Sequence, residues 1–301
     1  MKLLSFRTGG ETRLGLLMNS SIVDVDKGYY HLFRDHVPSN MLDFLEEGEA
    51  AMVQAKKLEE ASEMNWKTLR SISDIVFDVG NVEVLAPIPK TRENIICLGL
   101  NYREHVQEVG LPLPKYPVFF TKPPTSIIGP GASILFPKST SNVDYEAELA
   151  FIFGKRGRDV PEEDAYSYIA GYTVFNDLTA RDLQRRHGQW FKGKSLDTFA
   201  PMGPYLITKD EVPDPHDLEI SLELNGKLMQ KSNTRNMVFK IPTLVKYITM
   251  DMTIKPGNVV ATGTPSGVGY TRKPPVYLKP GDIMKVTVEN VGVLQNKVVS
   301  Q

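Results

Sequence analysis

From Val143 to Phe153 the chain reads Val-Asp-Tyr-Glu-Ala-Glu-Leu-Ala-Phe-Ile-Phe, so Asp144, Glu146 and Glu148 alternate with Tyr145, Ala147 and Leu149. On a strand, residues two apart share a face, and this spacing predicts three carboxylates along one side. The run then turns wholly apolar, as a strand does on entering a core. Carboxylates lined up at such an entrance repel one another unless a cation sits among them, and a hard divalent metal is the simplest compensator. The competing reading is an edge strand with a solvated acidic face. A second acid, Asp177, ends the apolar stretch Gly171-Tyr-Thr-Val-Phe-Asn-Asp177. It precedes a predicted helix over 179–189 whose Thr179-x-x-Asp182 resembles a capping box, so Asp177 also reads as a carboxylate favoured by a helix start. If Glu146, Glu148 and Asp177 converge, the ligand set is all oxygen, which selects Mg²⁺ or Mn²⁺ over zinc. Three protein ligands leave coordination positions for water or substrate.

Cations follow. Arg181 and Gln184 stand three apart, on one helix face, and Lys194 comes after Gly193; they face an anionic substrate or are merely solvated ends. The stretch Ala261-Thr-Gly-Thr-Pro-Ser-Gly-Val-Gly269 lacks the Gly-Lys-Ser/Thr ending of a phosphate loop. Its backbone N–H groups and the hydroxyls of Thr262, Thr264 and Ser266 are donors for a carboxylate, or the loop is a plain turn. His105 and Glu108 are three apart on a short glycine-bounded helix, where the carboxylate fixes the imidazole tautomer and makes it a better base. The same pair also fits an ordinary helix surface. His31, His36 and His216 have no such setting; His187 lies near the Arg181 helix. Cys97, inside an apolar run, reads as a core residue.

The elements that must position these groups read as β-rich. Strands are predicted to about Val25, helix over 41–58, and a strand over 82–89 closed by prolines, with irregular polar sequence between. A boundary near 75–88 separates a small N-terminal α+β domain, 1–80, from a larger one, 81–301. The larger unit shows strands at 94–99, 218–229 with the Asn225-Gly226 hairpin signal, and 281–289. Helices are few: one near Thr179, one over 241–249, and a short one near 101–109. This is an α+β pattern rather than a doubly wound sheet.

The 301 residues include 35 Lys plus Arg against 36 Asp plus Glu, a formal charge of −1. That balance argues against nucleic-acid binding, which needs a basic excess. The 41% hydrophobic content supports a sizeable core, and no apolar run suits a membrane helix. The start is too soon polar for a secretory signal, and a single cysteine makes a reducing cytoplasm the expectation.

Five ordered motifs over residues 85–300 together resemble the fumarylacetoacetate hydrolase superfamily. They are Gly99-x-Asn-Tyr-x-x-His105-x-x-Glu108, Asp144-Tyr-Glu-x-Glu148, Asn176-Asp177-x-Thr-Ala-Arg181-Asp-x-Gln184, Gly193-Lys-Ser-x-Asp-Thr198 and Thr262-Gly-Thr-Pro-x-Gly-Val-Gly269. The resemblance implies a mixed β-sandwich or β-roll catalytic domain, assembled as a homodimer, with a smaller N-terminal domain of the kind some members carry. It implies Mg²⁺ or Mn²⁺ on Glu146, Glu148 and Asp177, with Lys194 beside the metal. Arg181, Gln184 and Thr264 match substrate-contacting positions, and His105 with Glu108 matches the lid-borne dyad of acylpyruvate-cleaving members. The expected substrate is a small 2-oxo acid, and the expected reaction hydrolysis of a C–C bond next to its 2-oxo group through an enolate. Oxaloacetate decarboxylation and tautomerisation or isomerisation use the same enolate. The rival from another class, a metal-binding regulatory protein on this fold, is disfavoured by the intact His105, Glu108, Lys194 and carboxylates.

Overall fold

In the computed structural model, which describes residues 1–301, the apolar run after the acidic positions becomes strand Ala147–Phe153, buried along its whole length. It belongs to a twelve-stranded sheet, paired on one side with Ile169–Asn176 and on the other with Val259–Ala261. Its odd-numbered residues, Ala147, Leu149, Phe151 and Phe153, enter one core; Ala150 and Ile152 enter another. Burial on both faces explains why the run lacks polar alternation.

The first core lies between this sheet and a five-stranded one ordered Lys227–Asn233, Glu219–Leu224, Ile283–Val288, Gly292–Ser300 and Ser133–Phe136. Strands Glu219–Leu224 and Ile283–Val288 alternate buried with less buried residues, the mark of a sheet packed on one face. The Asn225-Gly226 turn has positive φ at both residues, 54° and 79°, as the hairpin signal requires. With helices interposed, the fold is α+β and β-rich, as expected.

The second core packs the opposite face of the large sheet against N-terminal helices, bringing Phe44, Ala51, Ala55 and Leu58 together with Ala150, Ile152 and Ala261. Strands Lys2–Thr8, Glu11–Met18 and Ser21–Asp24 extend the large sheet, with Leu3 opposite Leu206. Several local expectations change. Helix Glu49–Met64 continues past Leu58 because its narrow buried stripe of Ala51, Ala55 and Leu58 ends in Ser62, too small and polar to register as apolar. Helices Trp66–Ser71 and Val25–Phe33 were not foreseen; Asp24 caps the latter by accepting from the Lys27 N–H. Of 82–89, only Glu83–Val84 pairs as strand, since the prolines that follow cannot donate to a ladder. Helix Ile241–Thr249 forms as read, and the one near 101–109 contracts to Arg103–Glu108. No helix is long and apolar enough to cross a membrane.

Candidate active site

Strand register builds the acidic cluster. Ala147 pairs with Asn176, which sets Glu146 opposite Asp177, and the Asp177 N–H donates to the Glu146 carbonyl at 2.9 Å. Glu148 lies two residues along from Glu146. One carboxylate oxygen from each of Glu146, Glu148 and Asp177 falls within 4.8 Å of the others, and all three side chains are buried. Asp144 does not join them. The strand is interrupted at Tyr145–Glu146, and the Asp144 carboxylate instead accepts from the backbone N–H groups of Tyr145, Gly269 and Tyr270 at 2.9, 2.7 and 3.1 Å.

Three buried cations answer four carboxylates. Lys194 Nζ reaches Glu146 at 2.9 Å and Asp177 at 2.7 Å. Lys122 Nζ lies 2.5 Å from the other Asp177 oxygen and donates to the Leu178 carbonyl. Arg181 joins Asp144 at 2.8 Å and Glu146 at 2.7 Å, and donates to Gln184 at 3.2 Å. Counting Asp144, Glu146, Glu148 and Asp177 against Lys122, Arg181 and Lys194 leaves one negative charge in excess. The surplus sits at Glu148: one oxygen accepts from the Gly263 N–H at 2.8 Å, and the other, fully buried, has no partner. Burial, with Asp177 and Glu146 nearby, holds its pKa well above the ordinary carboxylate range. Burial pushes Glu146 the same way, but Lys194, Arg181 and His105 overcome it and bring Glu146 down to about 2. Burial works against the Lys194 ammonium too, yet Asp177 and Glu146 outweigh it and raise its pKa. An orphaned carboxyl oxygen in an all-oxygen cluster whose acids outnumber its cations is what a hard dication fits.

The glycine-rich loop supplies donors to carboxylates, one of the two readings its sequence allowed, rather than forming a plain turn. Its N–H groups serve the protein's own carboxylates: Gly263 to Glu148, Gly267 to Glu108 at 3.0 Å, and Gly269 to Asp144. A Cβ at Gly269 would lie 1.9 Å from the Val276 carbonyl oxygen and 2.6 Å from Asp144, so only glycine fits. Thr264 accepts from Gln230, a buried residue that also accepts from the Ala147 N–H and ties the loop to the acidic strand. Glu108 accepts from His105 Nδ1 at 3.2 Å and from the Thr271 hydroxyl at 2.7 Å, so the short helix of the dyad is docked on the loop.

Helix Arg181–Arg186 starts later and ends sooner than expected. Thr179 and Ala180 instead pair with Val143 and Asp144. Thr179 donates to the Asp177 carbonyl and Asp182 accepts from Thr140, so no capping box forms.

His105, Glu146, Arg181, Gln184, Lys194 and Thr264 line one cavity of about 340 Å³, walled also by Phe120, Trp190 and Tyr270. Glu148 and Asp177 lie under it, fully buried, in contact with Gly263 and with Lys194. Lys122 was not singled out from the sequence; a lysine closing the apolar run Val118-Phe-Phe-Thr-Lys122 ahead of two prolines is its one signal. Cys97 is buried as read, and burial raises its thiol pKa.

With this geometry in hand, comparison gives a direct match: the family model described as "Fumarylacetoacetate (FAA) hydrolase C-terminal" spans residues 94–299. The chain belongs to the fumarylacetoacetate hydrolase family. It is 41% identical to the mitochondrial oxaloacetate tautomerase fahd2 of Xenopus laevis, over 99% of this chain and 90% of that protein. Identity to the oxaloacetate tautomerase YisK of Bacillus subtilis is 39%, over 95% of each. Among solved structures, the maleylpyruvate hydrolase of Sphingobium sp. SYK-6 in complex with manganese(II) and pyruvate superposes with a TM-score of 0.76 at 30% identity, covering 100% of this chain and 99% of that one. The family thus joins tautomerases and hydrolases, and its members named here are enzymes.

Proposed function

We propose that this chain is a divalent-metal-dependent enzyme that interconverts the keto and enol forms of a small 2-oxo acid of the oxaloacetate class. The observation that carries the reading is the buried cluster of Glu146, Glu148 and Asp177, with one Glu148 oxygen left unpartnered, beneath a cavity whose walls supply Arg181, Lys194 and His105. Glu146, Glu148 and Asp177 would hold Mg²⁺ or Mn²⁺, which when bound acts as a Lewis acid toward a chelating 2-oxo carboxylate. Lys194, buried and held between Glu146 and Asp177, stabilises the negative charge that grows on the 2-oxo oxygen as C3 loses a proton. Arg181, clamped by Asp144, orients the substrate carboxylate. His105 carries the proton to and from C3, with Glu108 holding its Nδ1–H and leaving Nε2 free for the exchange.

Full-length similarity to oxaloacetate tautomerases supports tautomerisation ahead of the hydrolysis expected from the motifs. Hydrolysis of an acylpyruvate is the second reading, favoured by the same His105–Glu108 pair, which would then deprotonate an attacking water. The deciding experiment follows the decay of enol oxaloacetate and the loss of acetylpyruvate side by side with Mn²⁺, with and without EDTA. Accelerated, EDTA-sensitive enol decay with acetylpyruvate intact is the expected result. Release of pyruvate and acetate would replace tautomerase by hydrolase, and pyruvate with CO₂ from oxaloacetate would mark a decarboxylase. No change in either substrate would remove the enzymatic reading altogether.

A further inference from the structure

Four side chains that carry or can take positive charge line the cavity: His105, Arg181, Arg185 and Lys194. Three are already engaged. His105 faces Glu108, Arg181 faces Asp144 and Glu146, and Lys194 faces Glu146 and Asp177. Arg185 has no carboxylate within 4.0 Å. Its neighbour Arg186 makes the contrast: it pairs with Asp182 at 3.8 Å and does not line the cavity. Arg185 stands one helical turn beyond Arg181, on the same face. The Tyr270 ring lies beside both guanidinium groups, 4.3 Å from Arg181 and 5.1 Å from Arg185.

Three of the four groups are therefore committed to protein carboxylates, whereas the fourth, exposed at the rim, is a guanidinium with no anion. We infer that Arg185 receives the carboxylate of the substrate remote from the 2-oxo group. This makes the site selective for 2-oxo dicarboxylates over 2-oxo monocarboxylates, and rests on the reading of the cavity as a 2-oxo acid site. A planar, always-charged fork stacked on an aromatic ring suits a carboxylate better than a mobile ammonium would. Because Arg185 is exposed, solvent weakens the contact, and its share of affinity is modest.

Trp190 lines the cavity and reports on its occupancy. Stopped-flow titration of tryptophan fluorescence in the Mg²⁺-loaded protein gives dissociation constants for oxaloacetate and pyruvate before appreciable turnover. The wild type is expected to bind oxaloacetate about tenfold or more tightly than pyruvate. Arg185→Met should remove most of that preference while leaving the pyruvate constant within about twofold. Arg186→Met should keep the preference. The inference is overturned if the wild type shows no preference, if Arg185→Met retains it, or if Arg186→Met loses it equally. Preferential binding of oxaloacetate without turnover would sustain the inference while removing the proposed reaction. Turnover without preference would do the reverse.

Discussion

At the floor of the cavity Glu148 lies on one of two paired strands, Glu146 and Asp177 sit at the adjoining ends of that pair, and all three are locked by Lys122, Lys194 and the Gly263 N–H. At its mouth His105, Gln184 and Arg185 project from two helices of six residues each. Helices that short have little stability of their own and take their position from a few tertiary contacts. The Arg103–Glu108 helix is tied down through Glu108, which accepts from Gly267 and Thr271. The floor is thus set by sheet register, which cannot shift by one residue without turning every side chain over. The mouth is set by individual hydrogen bonds, each removable. On the proposed reading the difference teaches a division of labour: fixed charge chemistry on the sheet, adjustable proton transfer and substrate fit on small pieces above it.

Breaking the floor should have the largest effect. Glu146→Ala removes one member of the acidic trio and the partner of both Lys194 and Arg181, so calorimetry should detect no Mn²⁺ uptake and activity should vanish with it. Activity persisting at saturating substrate would refute the assignment of Glu146 as a ligand. Breaking the mouth should separate the two properties. His105→Ala is expected to lower kcat by about 10²–10⁴ while Mn²⁺ affinity stays near the wild-type value. A parallel loss of metal would show that floor and mouth are one unit.

Smaller effects sharpen the contrast. Gly267 has φ +100°, and a Cβ there would approach the Met229 carbonyl oxygen to 2.3 Å. Gly267→Ala should cost about 1–3 kcal/mol in urea unfolding and loosen Glu108, lowering kcat more than metal affinity. The last test is pH. Burial first, then Asp177 and Glu146, raise the pKa of Glu148, so in the metal-free protein it keeps its proton above the ordinary carboxylate range. A metal needs the ionised form; affinity should fall as pH drops through that raised pKa, by up to about tenfold per unit for one released proton. Glu146, brought down to about 2, should contribute nothing to this slope. Mn²⁺ titrations in buffers of different ionisation enthalpy measure the released proton directly.

The floor was legible in the sequence because two simple periods encode it. Glu146 and Glu148 share a strand face by spacing, and the apolar run that follows marks burial. Asp177 required one more fact, the pairing register, which no local pattern contains. Asp144 obeyed the same spacing yet went elsewhere, since the strand breaks at Tyr145–Glu146 and the Gly269 and Tyr270 N–H groups claim its oxygens. Lys122 was invisible for a related reason: a lysine at the end of an apolar strand looks like a solvated terminus until the partner strand is in place. Arg181 with Gln184 was legible, being a contact within one helical turn. The loop glycines were legible as donors for a carboxylate, but which carboxylates they meet was not, because sequence cannot say which acceptors a backbone N–H will find. In the N-terminal region Ser62 hid the end of a helix whose other buried positions were plain.

The acidic strand also acts as a partition. Glu148 shares its parity with Ala150 and Ile152, whose far side is roofed by the N-terminal helices through Phe44, Ala51 and Leu58. Peeling those helices away would let water reach the face of the sheet that bears Glu148. The dryness that now discourages its ionisation would lessen, its proton would leave more readily, and a distant scaffold would be revealed as part of what tunes the Glu148 carboxyl.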